Sequence, residues 1–186
     1  MKLNIYHITH PLIKILLNNN NNNIKENNYK YIGFLLIYEI FRKYISIHTI
    51  YIKQVRGIKC CHVMNKAKKH FILTNLSNTY NIMYDINTIL PEIKIIHVNY
   101  SNRETIKSSI EELKINFEQS KILIVEKVTT NNQIINIIEY LINKKNVNSK
   151  DINIGCIKSK EEALNHIGHD YPNLRIYTTQ IIYNDI

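Results

Sequence analysis

Apolar residues recur along this chain with two periods, one helical and one strand-like. A short apolar helix is predicted over 12–17. The six consecutive Asn residues at 18–23 interrupt it; Asn is a poor former of helix and strand, so an Asn-rich surface loop is expected there. Over 29–44, Ile32, Leu35, Leu36 and Ile40 recur at three- and four-residue spacing and predict a helix, with Glu39 and Lys43 one turn apart in the favourable order. Strands are predicted over 46–55, 59–64 and 70–73, then a helix over 80–90 that ends before Pro91, then a buried strand over 93–98. The continuous apolar run Ile122-Leu123-Ile124-Val125 reads as a central parallel strand covered on both faces. A polar turn over 126–133 and an apolar helix over 134–142 follow. Further on come a strand over 151–157, a helix over 161–166 and a last strand over 174–178. Alternation of this kind implies right-handed crossovers and an α/β fold: a central, mostly parallel sheet flanked by helices. No internal repeat is present.

Length and composition narrow this picture. The chain has 186 residues, 45% of them hydrophobic, which suits a single domain over 1–186 and a core that needs no disulfide or metal. The net charge of +9 favours polyanionic partners. Yet the lysines are scattered, with denser groups only at Lys66, Lys68, Lys69 and at Lys144, Lys145, so a solvated basic surface is expected ahead of a dedicated nucleic-acid site. Three cysteines, two of them adjacent (Cys60, Cys61, Cys156), make a poor disulfide framework and point to a reducing compartment. No apolar run is long enough to cross a membrane, and His7, Thr9 and His10 break the N-terminal apolar stretch in a way unlike a signal peptide. Abundant Ile, Asn, Lys and Tyr share A/T-rich codons; we therefore expect a protein encoded and retained in an organelle, a plastid (chloroplast).

Four collinear patterns carry a family likeness. They are His10-Pro11-Leu12-Ile13-Lys14 near the start, Gly33 through Arg42 (Gly-Phe-Leu-Leu-Ile-Tyr-Glu-Ile-Phe-Arg), Asn99-Tyr100 with Thr105-Ile106-Lys107, and Cys156 to Thr178 ending in Tyr171-Pro172-Asn173-Leu174-Arg175-Ile176-Tyr177-Thr178. Together they resemble uracil phosphoribosyltransferase. The resemblance implies a type I phosphoribosyltransferase-like fold and the conversion of uracil and phosphoribosyl pyrophosphate to uridine monophosphate. It also implies Mg2+ if the chain is active, a homodimer, and a hairpin arm around 99–107. The capping-box pattern Ser101-Asn102-Arg103-Glu104 instead argues for a local helix there.

The chemistry departs from the resemblance at three places. The family's phosphate turn reads roughly Val-Asp-Pro-Met-x-Ala-Thr-Gly-Gly. Here the stretch is Val125-Glu126-Lys127-Val128-Thr129-Thr130-Asn131-Asn132-Gln133. Glu126 keeps a carboxylate toward the ribose, and Thr129, Thr130 and Asn131 keep polar groups at a helix start, so these four are the phosphoribosyl pyrophosphate ligands that the resemblance implies. The Gly-Gly pair is gone. A pyrophosphate loop with Arg and Gly is implied near 73–82, where this chain has neither; Arg grips phosphate bidentately in a way Ser or Asn cannot. A Gly-rich uracil-recognising segment is implied after Ile-Tyr-Thr, and none follows before Ile186. The expectation is a homologue with impaired or lost catalysis, a pseudoenzyme. The alternatives are an active atypical enzyme, or a nucleic-acid- or nucleotide-binding regulator on the same scaffold. Cys60-Cys61-His62 and the pair His166, His169 are expected to be incidental rather than metal ligands.

Overall fold

A computed structural model describes residues 3–18, 26–65, 69–113, 115, 117, 120–129 and 133–183. Six strands form one sheet in the order β1-β8-β7-β6-β4-β5: β1 (Asn4–His7), β4 (His70–Thr74), β5 (Lys94–His97), β6 (Lys121–Thr129), β7 (Ile152–Lys160) and β8 (Arg175–Ile182). Every neighbouring pair in it is parallel. Its helices are α1 (Pro11–Asn18), α2 (Glu26–Phe41), α3 (Leu76–Met83), α4 (Ile86–Ile89), α5 (Arg103–Glu111), α6 (Gln133–Lys145) and α7 (Glu161–Asp170). A separate antiparallel hairpin is made by β2 (Ile47–Gln54) and β3 (Gly57–Met64).

The sheet divides two cores. Ile122, Ile124, Ile154 and Ile176 pack with Ile137, Ile138 and Leu141 of α6 and Ile167 of α7. Leu123, Val125, Ile157 and Tyr177 pack on the opposite side, with Ile32, Leu36 and Ile40 of α2 and Ile82 of α3. Strand side chains alternate between faces, so one apolar run can feed both cores. Gly33 sets how closely α2 approaches α3: a Cβ there would stand 2.5 Å from Ile82 Cγ2 and 3.0 Å from its Cα. Just past α2, the Tyr44 hydroxyl donates to Asn153 Oδ1 (3.0 Å) and lies 2.7 Å from the Tyr177 hydroxyl, and Arg175 Nη1 donates to it (3.1 Å). These bonds tie the C-terminal end of the helix to β7 and β8 and satisfy Asn153, which is buried in the sheet.

Several expectations need correction. Residues 126–129 of the predicted polar turn are strand, because β6 continues to Thr129; 130–132 lie outside the described residues. The register of β6 with β7 runs Glu126↔Cys156, Val128↔Lys158 and Thr129↔Ser159, which uses the backbone groups a turn would have freed. The arm implied over 99–107 is not a hairpin. Asn102 Oδ1 accepts from Thr105 N (2.8 Å), Thr105 Oγ1 accepts from Asn102 N (3.4 Å), and Ile106 and Ile110 are buried, so a capped amphipathic helix forms. The cap lies one residue beyond Ser101. The hairpin is at β2–β3 instead, entered through Gly57 at φ 146°, a conformation that a side chain would strain. The helix predicted over 80–90 is two helices, broken at Tyr84 and Asp85. Strand β1 was not foreseen; its four exposed residues give no burial period and it forms by pairing with β8. Asn18 ends α1, and the rest of the Asn-rich stretch, 19–23, lies outside the described residues.

Gly33→Ala should cost about 1–3 kcal/mol in urea unfolding, since the Ile82 backbone would have to retreat. A change below ~0.5 kcal/mol would show that α2 and α3 are not held this tightly.

Candidate functional site

In open parallel sheets ligands bind beyond the carboxyl ends of the strands. The C-terminal half of β6 carries Glu126 and Thr129, both buried. Glu126 Oε1 and Thr129 Oγ1 have no hydrogen-bond partner among the described residues. Burial pushes the Glu126 carboxyl up to about 8, and a backbone hydrogen bond from Lys127 offsets part of that push. At neutral pH Glu126 is therefore mostly a neutral acid with one oxygen unsatisfied. Thr130 and Asn131, the other two expected ligands, lie outside the described residues.

A second polar group sits on the adjoining strands. Cys156 Sγ lies 2.8 Å from Ser159 Oγ, Ser159 donates to Thr178 Oγ1 (3.0 Å), and Thr178 donates to the Gln180 carbonyl (3.1 Å). Burial pushes the Cys156 thiol up against the pull of the Ser159 hydroxyl, so it stays protonated and is no nucleophile.

Strand β4 leads into α3, the place of the implied pyrophosphate loop. An uncommitted helix start offers free N–H groups to an anion. Here those of the first three helical residues are already taken, and Thr79 N makes the ordinary intrahelical bond. Leu76 N donates to His97 Nδ1 (3.1 Å), Ser77 N to Asn75 Oδ1 (3.2 Å), Asn78 N to Asn75 O (3.0 Å) and Thr79 N to Asn75 O (3.1 Å). The two threonines are engaged as well: Thr74 Oγ1 donates to Val125 O (2.7 Å), and Thr79 Oγ1 lies 2.6 Å from Thr74 Oγ1.

The remaining candidates do not converge. Cys60 and His62 are exposed on β3, while Cys61 is half-buried. His169 Nδ1 pairs with Asp170 at 2.8 Å and His166 Nε2 reaches the same carboxylate at 3.6 Å. Among the described residues no three His, Cys, Asp or Glu side chains are grouped as metal ligands, and no helix is long and apolar enough to cross a membrane.

A model of the uracil phosphoribosyltransferase family matches residues 9–183. The chain belongs to the uracil phosphoribosyltransferase family. Similar proteins include a uracil phosphoribosyltransferase homolog of Porphyra purpurea, 28% identical over 97% of this chain and 89% of the relative. Another, from Pyropia yezoensis, is 28% identical over 99% and 91%. A uracil phosphoribosyltransferase of Nicotiana tabacum is also 28% identical, over 90% of this chain and 79% of its own. The AQ2163 protein from Aquifex aeolicus has the same fold, with a TM-score of 0.70 at 17% identity, covering 97% of this chain and 89% of that one.

Within this family framework, the sequence singled out Glu126 and Thr129, and the fold puts both at the carboxyl end of the central strand. The self-capped start of α3 was missed, although Asn75 followed by Ser77 and Thr79 is the pattern of a capped helix. His97 as an acceptor for Leu76 had no local signal, because the two meet only through the pairing of β4 with β5.

The weakened acidity of Glu126 fixes a pH dependence. Between the ordinary 4.5 and about 8 the folded chain keeps a proton that the unfolded chain releases, so stability is full below 4.5 and falls as pH rises through that window. Glu126→Gln removes the linkage. Relative to wild type, the variant should gain about 1.4 kcal/mol per pH unit across the window, up to roughly 5 kcal/mol. Urea unfolding at pH 5.5, 7 and 8.5 measures it; a pH-independent difference would mean that Glu126 is ionised throughout.

Proposed function

We propose that this chain keeps a phosphoribosyl-binding site but has lost efficient uracil phosphoribosyl transfer. In that reaction a bond from uracil nitrogen to the anomeric carbon forms as the bond from that carbon to pyrophosphate breaks. The observation that carries the reading is the closed start of α3, where the Leu76, Ser77 and Asn78 N–H groups that could grip the departing pyrophosphate are bonded within the protein. No Arg or Gly from 73 to 82 substitutes for them. At the other end of the site, unsatisfied Glu126 Oε1 and Thr129 Oγ1 support the retained half. With Thr130 and Asn131 they would hold the ribose and its phosphate, the neutral carboxyl donating where a carboxylate could only accept. One protonated carboxyl does not fit a resident Mg2+, which prefers ionised carboxylates together with ligand phosphates.

Further proposals follow the family. The chain acts as one domain, works as a homodimer and resides in a plastid. Support comes from the exposed Tyr31 and Tyr38 of α2, Tyr80 of α3 and Tyr84 beyond it, an aromatic surface that a second copy would cover, and from the A/T-codon bias. A single calorimetric transition, light scattering at twice 22.0 kDa and recovery with isolated plastids are the expected results; a monomer, or recovery with another compartment, would contradict them.

Two lost charge-assisted contacts, each of roughly 1.5–3 kcal/mol, remove about two to four powers of ten from the rate. Radiolabelled uracil with phosphoribosyl pyrophosphate and Mg2+ should yield turnover well below the ordinary ~1–1000 per second. Phosphoribosyl pyrophosphate should still bind in calorimetry, and more weakly to Glu126→Ala. Turnover at ordinary rates that Glu126→Ala abolishes would instead establish an active atypical enzyme.

A further inference from the structure

Lys127 lies near the carboxyl end of β6, next to Glu126 in sequence and on the other face of the strand. Glu126 is registered with Cys156, which packs in the core under α6 and α7. Lys127 follows Leu123 and Val125 onto the α2 side, where its Nζ stands 3.9 Å from the centre of the Tyr29 ring. Both residues are half-buried. Lys127 forms no ion pair with a described residue. An aromatic face attracts an ammonium through its quadrupole, but it supplies no negative charge. The same strand end carries the unsatisfied Glu126 Oε1 and Thr129 Oγ1. One face thus lacks hydrogen-bond partners and the other lacks an anion.

The surroundings of Lys127 do not supply that anion. Neither β4 nor α3 contains Asp or Glu. Asp85, just beyond α3, is held by Lys30 at 2.9 Å, and Glu39 of α2 is held by Arg42 at 3.0 Å. Thr74, at the end of β4, donates to the Val125 carbonyl two residues before Lys127, so the cation stands beside the closed start of α3. A ligand that completes both faces has hydroxyls at one end and dense negative charge at the other, as a sugar diphosphate has. The stretch that reads Val-Asp-Pro in the family is Val125-Glu126-Lys127 here, so this cation is a property of the chain and not of the family pattern. Lysine is a compact point charge with rotatable donors, and it holds phosphate without the fixed two-pronged geometry of Arg. Such a replacement retains affinity for a diphosphate and loses the orientation that its departure requires.

We infer that Lys127 holds the pyrophosphate group of phosphoribosyl pyrophosphate, its ammonium leaving the Tyr29 ring for the ligand. The inference rests on the reading of Glu126 and Thr129 as a retained phosphoribosyl site and adds a residue for the other end of the same ligand. Titration calorimetry of the full chain, without added divalent cation, compares phosphoribosyl pyrophosphate, inorganic pyrophosphate and ribose 5-phosphate. Lys127→Gln should weaken the first two by about 10- to 100-fold and leave ribose 5-phosphate within about twofold. Lys127→Arg keeps the charge and should restore pyrophosphate binding to within about fivefold of wild type. Glu126→Ala should show the reverse selectivity, with ribose 5-phosphate weakened and pyrophosphate unchanged. A measurement on the wild-type chain covers the case in which the Gln variant fails to fold: pyrophosphate should protect Lys127 from acetylation by acetic anhydride, read by peptide mass spectrometry, while ribose 5-phosphate should not. Wild-type binding of pyrophosphate that is absent at ~1 mM, or that Lys127→Gln leaves intact, would overturn the inference. So would an equal loss of all three ligands, since Lys127 would then only support the fold. Ribose 5-phosphate binding that depends on Glu126, without pyrophosphate binding, would sink the role of Lys127 and leave the phosphoribosyl site standing. Pyrophosphate binding through Lys127, with no binding of ribose 5-phosphate, would uphold that role and sink the reading of the Glu126 site.

Discussion

The double burial of strand β6 governs the rest of the molecule. Ile122, Leu123, Ile124 and Val125 are covered on both sides, so helices must pack on each face and every backbone group must be bonded to β4 or β7. That requirement carries the strand through to Thr129. It also takes Glu126 out of water, because a side chain on a doubly covered strand has no route to solvent except past the strand's end. The same desolvation that makes the central strand strong makes Glu126 a neutral acid. Stability and site chemistry therefore have one cause.

The end of β6 and the start of α3 differ in how their polar groups are satisfied. At β6, polar atoms are left unsatisfied, which costs stability unless a ligand or solvent completes them. At α3 the helix start is completed internally by Asn75 and His97, and the Thr74–Thr79 pair beside it bonds to the Val125 carbonyl. Self-capping stabilises the helix and removes its capacity to bind an anion. A phosphate loop and a stable cap compete for the same amide groups, and here the cap has them. The family framework persists around this exchange because the crossover topology depends on apolar packing, to which the loop residues contribute little.

The hairpin follows the opposite rule from the sheet. Its residues have β propensity and almost no burial, so nothing inside the chain accounts for their apolar character. Lys53, Arg56 and Lys59 are concentrated at and beside its turn. Glycine at position 57 supplies the turn conformation that lets the two strands meet in register from Ile47↔Met64 to Gln54↔Gly57.

By itself the sequence determined the α/β alternation, the central strand at Ile122 to Val125, the helix following it and the family likeness. All of these are local or periodic properties, carried by apolar spacing and short collinear motifs. Through the family likeness it also marked Glu126 and Thr129, but as residues of a polar turn after the strand; pairing with β7 put both within it. It did not determine the place of the hairpin: the motif at Asn99 to Lys107 implied an arm, while the Asn102 cap and the burial of Ile106 and Ile110 made a helix. Nor did it determine the protonation of Glu126, the polar chain through Cys156, Ser159 and Thr178, or the closure of α3 by His97. Those depend on strands far apart in sequence lying side by side, and desolvation and cross-strand hydrogen bonds exist only once the sheet has formed.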